Sequence, residues 1–383
     1  MDPAFSIPSF YKGRSVFVTG ASGFLGKALI EKLLRSCPGI REIFLLMRPK
    51  NHASIDERLR QLLTNSLFDT LRHKQPRCFD KLIPVEGDIG IEGLGLSVAD
   101  RDILIEKTSV IFHVAANVRF DDALRDAVLI NVRSTRDICV LSSMMKNLVV
   151  LVHVSTVYSQ VDKLVIDETV YPTKVDWRKM IQVVESLDED ILKVFQSKYT
   201  GTLPNTYAFT KRLAEQVIAD YSGSLPCIIC RPSIVTGTLK EPVKGWLDNF
   251  NGPIALFIGL GKGVTRLIYT NSIARDNYVP TDIVIKALIV AAWKHGSRTT
   301  VMQSKFPLVY NCTDYHSKSP RHRMMTKIGE VALEKYSYEG MIWAPYMIII
   351  NSPFFYKLLL ILLHVMPALF IDGLLLLAGK RPR

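Results

Sequence analysis

The feature that most constrains the fold is a glycine-rich segment near the N-terminus. Residues 19–26 read Thr-Gly-Ala-Ser-Gly-Phe-Leu-Gly, between a β-branched run at 15–19 and a segment with helical spacing from residue 27. Glycines at this spacing permit a tight turn and let a pyrophosphate approach the backbone at the helix N-terminus. The pattern predicts a dinucleotide-binding turn, with contacts from Thr19, Gly20, Ser22, Gly23, Phe24, Leu25 and Gly26.

Further strand-like runs alternate with helical segments along the next two hundred residues. Buried runs are expected near 43–47, 82–88, 110–114, 149–154 and 227–230, with helices near 53–73, 125–146, 176–198 and 207–221. Alternation of this kind is typical of an α/β protein with a doubly wound parallel sheet, the Rossmann type. Hydrophobic residues make up 48% of the 383 positions and charged residues 22%, which excludes a disordered chain.

The residues after the second, third and fourth strands indicate which dinucleotide binds. NAD-binding proteins place an acid at the end of the second strand, whereas NADP-binding proteins use arginine for the 2′-phosphate. Here Arg48 occupies that end, so NADPH is favoured, although a surface arginine is the alternative interpretation. Asp88 closes the third strand and is a candidate to face the adenine, and Ala115 follows the fourth strand and would allow a close approach.

A tyrosine and a lysine lie one helical turn apart after the fifth strand. Tyr207 and Lys211 share a helix face by their spacing. A nearby ammonium is expected to lower the pKa of the tyrosine, which could then protonate a carbonyl oxygen near neutral pH. Thr156, with Ser155 as the second choice, ends the fifth strand and would hold the same oxygen. The sequence therefore predicts a carbonyl-reducing site without a metal ion, since metal ligands at usable spacing are lacking.

Charge is unevenly distributed along the chain. The formal net charge is +12, and residues 286–335 hold nine lysines and arginines against three acidic residues. Such a region favours anionic ligands such as phosphates, although a solvated surface is an equal alternative. A nucleic-acid role is the weakest interpretation, because the basic residues lack interleaved aromatic residues and a known binding module.

The last forty residues suggest membrane attachment. Residues 354–377 carry only Lys357 and Asp372 as charges, and Lys380, Arg381 and Arg383 follow. The length suffices for a transmembrane helix. Because basic residues tend to stay on the cytoplasmic side, a re-entrant hairpin hinged near Pro367 is the alternative to a single span, and a buried core helix is a third. Residues 1–14 lack the apolar run of a signal peptide, and scattered cysteines suit a cytosolic redox environment.

Taken together, these motifs resemble those of the extended short-chain dehydrogenase/reductases, and in particular the fatty acyl-CoA reductase family. The strings that carry the closer resemblance are Ala115-Ala-Asn-Val-Arg-Phe, Asn131-Val-Arg-Ser-Thr, Arg231-Pro-Ser-Ile-Val, Gly245-Trp-Leu-Asp-Asn, Asn251-Gly-Pro and Val279-Pro-Thr-Asp. The resemblance runs from about residue 12 to the end. Family members usually continue into a helical C-terminal domain, so a truncated or short member is one interpretation of this sequence.

The resemblance implies an enzyme and its organisation. It implies NADPH-dependent reduction of long-chain acyl-CoA to a primary alcohol through an aldehyde, with release of CoA, and it assigns Tyr207 and Lys211 as the catalytic pair. We expect an NADP-binding domain at 12–285, a basic substrate-side region at 286–345 and a membrane-associated segment at 346–383. The catalytic domain would face the cytosol at the endoplasmic reticulum or peroxisome membrane. The oligomeric state is left open.

Two other functions share the nucleotide site. One is a different membrane-bound extended reductase, such as a hydroxysteroid dehydrogenase-like enzyme, against which the Gly245-Trp and Asn251-Gly-Pro strings argue. The other is a catalytically idle NADP-binding scaffold, against which the complete Thr156, Tyr207 and Lys211 set argues. Substrate screening separates the first from an acyl-CoA reductase, and cofactor binding without turnover would identify the second.

Overall fold

A computed structural model describes residues 6–50, 53–297, 306–314, 320–336, 339–344 and 346–381. The chain forms two compact units. Unit 1 contains residues 1–247 and 279–313, and unit 2 contains residues 248–278 and 314–383. The three-part functional division expected from the sequence stays a prediction.

The strands of the described residues are short and mostly belong to unit 1. They are β1 (Ser15–Thr19), β2 (Glu42–Met47), β3 (Leu82–Glu86), β4 (Thr108–His113), β5 (Val150–Val154), β6 (Cys227–Pro232), β7 (Ile234–Thr236), β8 (Leu267–Tyr269), β9 (Tyr278–Pro280), β10 (Leu308–Cys312) and β11 (Ile348–Ile350).

The helices lie between these strands in chain order. They are α1 (Ile7–Tyr11), α2 (Phe24–Ser36), α3 (Ile55–Leu63), α4 (Asp69–Lys74), α5 (Val98–Lys107), α6 (Leu124–Val128), α7 (Ser134–Met144), α8 (Trp177–Ser186), α9 (Glu189–Thr200), α10 (Thr206–Tyr221), α11 (Pro253–Gly261), α12 (Thr281–Gly296), α13 (His322–Lys335), α14 (Pro353–Leu360) and α15 (Met366–Leu377). π-helical turns join α6 to α7 and α14 to α15.

A parallel sheet organises unit 1. Its strand order is β10-β6-β5-β4-β1-β2-β3, and each of the recorded strand pairs is parallel. The predicted doubly wound Rossmann sheet is therefore confirmed. The direction of winding reverses between β1 and β4, and ligands of such sheets bind beyond the carboxyl ends of the strands at this point.

Burial on both faces explains why the strands are continuously apolar. Every residue of β1 is buried: Val16 and Val18 join the core cluster that includes α2 and α12, while Phe17 joins the opposite cluster that includes α7 and α10. Sheets covered by helices on both faces require such runs. Cys227 and Cys230 on β6 likewise fall into opposite clusters as free buried thiols, so the two side chains lie on opposite faces of the sheet.

Two of the predicted helices are divided. The helix expected over 53–73 is α3 and α4, separated by a turn in which the Asn65 side chain accepts a hydrogen bond from the Leu67 amide. The helix expected over 176–198 is α8 and α9, the second beginning after Asp188. Sequence reasoning also missed β10, which adds the edge strand beside β6.

Unit 2 has little internal core. Strands β8 and β11 pair in parallel, and the buried apolar cluster in its described residues comprises Leu260, Leu333 and Met347. A continuous 25-residue helix, Pro353–Leu377, follows β11 and is long and apolar enough to cross a membrane. We call this segment the tail helix.

The structure of the tail helix contradicts two of the three arrangements expected from the sequence, the buried core helix and the re-entrant hairpin. Its most apolar part is not buried within the described structure, so it is not a core helix. A hairpin at Pro367 is also wrong. The π turn at Ile361–Val365 and the placement of Pro367 in the first turn of α15 let the helix continue, because proline is tolerated where its missing N–H is not needed.

Candidate active site

The glycine-rich turn joins β1 to α2 at the switch point of the sheet. Gly20 has φ of +75°, and a Cβ atom there would lie 2.7 Å from the Ala115 amide nitrogen. A Cβ atom on Gly26 would lie 2.1 Å from the Gly20 carbonyl oxygen. Both positions therefore exclude larger residues, and Ala115 forms the wall against which the turn packs. This close-packed cradle fits the pyrophosphate of a dinucleotide at the N-terminus of α2.

The other predicted residues of the turn lie in different surroundings. Thr19 is fully buried, and its hydroxyl bonds His113 Nδ1 at 2.8 Å and the Ala115 amide at 3.2 Å. Ser22 and Gly23 are exposed, and Leu25 is half-buried. The Phe24 ring stacks on Trp246, with ring centroids 5.3 Å apart. The Thr19 side chain thus ties β1 to β4, whereas the exposed backbone of residues 22 and 23 faces solvent.

Arg48 and Asp88 meet at the ends of β2 and β3. Arg48 Nη1 donates to Asp88 Oδ2 at 3.1 Å, and the other Asp88 carboxyl oxygen accepts from the Gly90 amide at 2.8 Å. A cleft at this edge is lined by Arg48, Pro49, Lys50, Glu86, Gly87, Asp88, Ile91 and Gly95. The structure therefore places the predicted Arg48 and Asp88 at a single opening, beside Lys50 and Glu86, to which the sequence assigned no role.

Tyr207 and Lys211 occupy consecutive turns of α10. Asn205 caps this helix by accepting from the Ala208 amide at 2.8 Å, which fixes the helix start just before the tyrosine. Lys211 is almost completely buried, and its Nζ donates to the Val154 carbonyl at 2.7 Å. The lysine thereby ties α10 to the end of β5.

The Thr156 side chain lies within hydrogen-bonding reach of the Tyr207 hydroxyl. The Thr156 hydroxyl also donates to the Pro232 carbonyl at 3.3 Å and accepts from the Tyr158 amide at 3.2 Å. The expected lowering of the tyrosine pKa by Lys211 is not found. Burial raises the pKa of Tyr207 to about 12, and the hydrogen bond with Thr156 opposes this shift. Burial also lowers the pKa of Lys211 to about 8, against the effect of the Glu215 carboxylate. Tyr207 is therefore a protonated donor across the neutral range.

Ser155 lies in a separate hydrogen-bond network. Its hydroxyl donates to Glu215 Oε1 at 2.6 Å, so it is engaged away from the tyrosine hydroxyl. The Glu215 carboxylate also accepts hydrogen bonds from Arg231 Nε at 2.8 Å and Nη2 at 2.7 Å. The Glu215 and Arg231 side chains are both fully buried. Of the two predicted hydroxyls, the structure brings Thr156 to Tyr207 and directs Ser155 to this buried ion pair.

Sequence reasoning assigned no role to two residues beside the site. The Phe120 ring lies 5.8 Å from the Tyr207 ring and is 61% exposed. Asn131, on the π turn between α6 and α7, donates to Thr210 Oγ1 at 2.9 Å and to the Asn117 carbonyl at 3.1 Å. Both belong to strings that carried the family resemblance, which was the available signal.

Two histidines, His113 and His153, are buried in the sheet. His113 bonds Thr19 and Thr135, and its ring centroid lies 5.3 Å from that of His153. Burial lowers the pKa of His113 to about 3, so this ring is neutral. Within the described residues, no group of three or more His, Cys, Asp or Glu side chains is arranged to hold a metal ion.

The basic region at 286–335 is only partly described. Arg298, Lys305 and Lys318 lie outside the described residues. Lys286 forms an ion pair at 2.5 Å with Glu241, a carboxylate that Lys32 and Arg35 also contact. The attraction of anionic ligands by this region stays a prediction.

Comparison with known proteins gives consistent matches. A family model described as "Male sterility protein" matches residues 18–288. "Fatty acyl-CoA reductase 1" of Homo sapiens is 40% identical over 379 residues, which cover 99% of this chain and 73% of that protein. "Fatty acyl-CoA reductase 2" of Mus musculus is 37% identical over 377 residues, which cover 98% of this chain and 72% of that protein.

Solved structures share the fold at low sequence identity. The terminal R domain from the myxalamid PKS-NRPS biosynthetic pathway has a TM-score of 0.62 at 22% identity, covering 88% of this chain and 72% of that one. The reductase domain of a nonribosomal peptide synthetase from Mycobacterium tuberculosis has a TM-score of 0.58 at 18% identity, covering 94% and 79%.

Proposed function

Because this chain belongs to the fatty acyl-CoA reductase family and is a reductase with a nicotinamide-binding fold, we propose that it reduces long-chain acyl-CoA to a primary alcohol with NADPH. The reaction would pass through an aldehyde and release CoA. The observation that carries the proposal is the Tyr207–Thr156 hydroxyl pair beside buried Lys211, at the sheet edge where the glycine cradle lies.

The residues of the cradle fit a dinucleotide. Gly20, Gly23 and Gly26 let the turn pack closely at the N-terminus of α2, where the pyrophosphate would lie. Asp88 would contact the adenosine, and Lys211 would hold the nicotinamide ribose. When bound, NADPH supplies a hydride for each of the two reductions.

Tyr207 and Thr156 would stabilise negative charge on the substrate oxygen. Their hydroxyls would donate hydrogen bonds to the thioester carbonyl oxygen, where charge develops as the carbon becomes tetrahedral. Collapse of this hemithioacetal expels CoA. In the second reduction Tyr207 gives its proton to the aldehyde oxygen, a role that suits a tyrosine whose raised pKa keeps it protonated.

The preference for NADPH over NADH rests on Arg48 and Lys50. Both line the cleft at the end of β2, and both offer cations to a 2′-phosphate. We expect Arg48→Ala to weaken NADPH binding about tenfold and to leave NADH binding nearly unchanged, as measured by fluorescence titration. An equal loss for both dinucleotides would contradict this assignment and indicate a structural role for the Arg48–Asp88 ion pair.

We propose that the protein acts at a membrane surface. The tail helix supports association with lipid, and the catalytic unit would face the cytosol at the endoplasmic reticulum or peroxisome membrane. The basic residues of 286–345 would attract the phosphates of CoA.

The reaction can be tested with purified, detergent-solubilised protein. NADPH and a series of acyl-CoAs of increasing chain length are supplied, and the products are followed by gas chromatography. Alcohol formed with two NADPH consumed per molecule is the expected result. Aldehyde as the end product would limit the proposal to the first reduction. NADPH binding without product from any acyl-CoA would contradict it and favour an idle scaffold, while turnover of hydroxysteroids alone would favour the other reductase class.

A further inference from the structure

The tail helix is held to the rest of unit 2 at its midpoint. The backbone amide of Arg266 donates to His364 Nε2 at 3.2 Å, and the Arg266 guanidinium donates to the Leu363 carbonyl at 3.1 Å. Both acceptors lie in the π turn, which frees carbonyl groups from regular helical bonding. The same guanidinium lies over the Trp343 ring, 4.4 Å from its centroid.

The N-terminal half of the helix is held as well. The Tyr356 ring lies 5.4 Å from the Tyr269 ring at the end of β8, and two residues separate β11 from the helix start. From Tyr356 to His364 the helix therefore follows the short β8–β11 sheet. It is attached along one side over two turns and is not a free terminal extension.

These attachments conflict with a helix that crosses a bilayer. At about 1.5 Å per residue the helix is roughly 37 Å long, so a spanning arrangement would put Leu363 and His364 near the centre of a hydrocarbon layer about 30 Å thick. Arg266 and the edge of β8 would follow them there. A guanidinium and the open edge of a two-stranded sheet are both costly in hydrocarbon.

The helix is apolar and exposed along its whole length, on the side away from Arg266 as far as His364 and on most sides after it. Phe354 is 71% exposed, Leu369 64% and Leu377 87%. The further exposed apolar side chains of the helix are Phe355, Leu358, Ile361, Leu362, Val365, Met366, Phe370, Ile371, Leu374 and Leu376. Exposed contiguous apolar surface of this kind marks a contact with another apolar phase.

The polar and aromatic residues around this face suit a lipid headgroup region. Tyr269, Trp343 and Tyr346 in the same unit are more than half exposed, and tyrosine and tryptophan are enriched where a bilayer meets water. Lys380 and Arg381 follow the helix, and the chain has a net charge of +12, which favours anionic lipid surfaces.

We propose that the tail helix lies flat in one leaflet of an anionic membrane, with its Arg266 side against unit 2 and its exposed apolar face in lipid, and does not span the bilayer. This arrangement rests on the proposed membrane function and specifies its geometry. It keeps both ends of the helix on the same side of the membrane.

Depth measurements distinguish the flat arrangement from a spanning one. Nitroxide labels are placed singly on cysteines at Phe354, Val365 and Leu377, with the half-exposed Cys78 and Cys312 replaced by serine. The protein is bound to phosphatidylcholine–phosphatidylserine vesicles, and label depth is measured by electron paramagnetic resonance. Equal shallow depths at the three positions are expected. A profile that is deepest at Val365 and shallow at both ends would overturn the proposal.

Flotation with the same vesicles tests the lipid-binding face. Leu362→Glu/Leu369→Glu should abolish co-flotation. Val98→Glu/Leu164→Glu adds the same charges at two exposed apolar positions of unit 1 and should leave it intact. If the unaltered chain fails to float, or self-associates through this face instead, the inference is wrong.

The membrane arrangement and the proposed reaction can be tested independently of each other. Acyl-CoA reduction in detergent depends on Tyr207 and Thr156, so it should be retained by both glutamate variants. A chain that reduces acyl-CoA in detergent without binding vesicles would refute the membrane geometry alone.

Discussion

The two units of this protein deal with their apolar residues in opposite ways. Unit 1 buries them on both faces of a parallel sheet, so that each residue of β1 is shielded from water. Unit 2 encloses a small cluster around Leu260, Leu333 and Met347 and exposes the apolar face of its longest helix. The comparison indicates that unit 1 is stabilised by its own interior, whereas unit 2 presents apolar surface for an external partner.

The largest effect should follow from a change at Tyr207, the proposed proton donor in unit 1. Tyr207→Phe removes the proton donor and one of two hydrogen bonds to the substrate oxygen, so we expect a loss of about 10²–10⁴-fold in turnover. NADPH affinity should change little. Steady-state kinetics and fluorescence titration measure the two quantities. Turnover close to that of the unaltered enzyme would remove Tyr207 from the mechanism.

A change at the buried ion pair should have the largest effect on stability. Glu215→Gln leaves the Arg231 charge buried without its partner, and we expect a loss of about 3–5 kcal/mol in the free energy of unfolding. Glu241→Gln is the matched control. That carboxylate is partly exposed and faces Lys32, Arg35 and Lys286, so the loss should be about 1 kcal/mol. The free energies are measured by urea unfolding. Equal losses for Glu215→Gln and Glu241→Gln would show that burial of the ion pair does not determine how much it stabilises the fold.

Leucine truncation compares the two interiors directly. Leu29→Ala in the core of unit 1 should cost about 2–5 kcal/mol, because the surrounding side chains cannot close the cavity. Leu333→Ala should cost less, since its cluster is small and its side chain is not fully buried. Hydrogen exchange resolved by peptide measures each unit separately. A larger loss at Leu333 would reverse the comparison.

The last comparison isolates backbone strain in the glycine turn. Gly20→Ala adds the strain of a positive φ, about 1–2 kcal/mol, to a contact with the Ala115 backbone. Gly13→Ala carries the same positive φ with open space around its Cβ, so it isolates the strain. Thermal unfolding should separate the two variants, and only Gly20→Ala should weaken NADPH binding. If both variants behave alike, the close packing against Ala115 is unimportant.

Much of unit 1 could be predicted because its signals are local. The strand, turn and helix around Gly20 occupy consecutive residues, and the spacing of Tyr207 and Lys211 places them on one helix face. The parallel arrangement of the strands also follows from their alternation with helices. By contrast, β10 pairs with β6 only after the chain has passed through residues 248–278 of unit 2. The sequence around β10 does not indicate that β6 is its neighbour.

Long-range contacts and burial account for what the sequence did not predict. Ser155 and Thr156 are neighbours, and only the position of Glu215 decides which hydroxyl remains beside Tyr207. The predicted direction of the Tyr207 pKa shift was also wrong. Desolvation raises this pKa, and the Lys211 ammonium is hydrogen-bonded to the Val154 carbonyl. The midpoint attachment of the tail helix depends on Arg266, about a hundred residues earlier, which hydropathy cannot reveal.

The buried Arg231 also bears on the order in which the site forms during synthesis. Besides Glu215, it donates to the Asp167 and Thr169 carbonyls at 3.0 and 2.7 Å. All three of these partners precede it in the chain. Since chains emerge from the ribosome N-terminus first, the loop at 161–176 and the Ser155 end of β5 must wait for β6. The Asp167 and Thr169 carbonyls, the Glu215 carboxylate and, through it, Ser155 therefore acquire their buried cationic partner together, once β6 is in place.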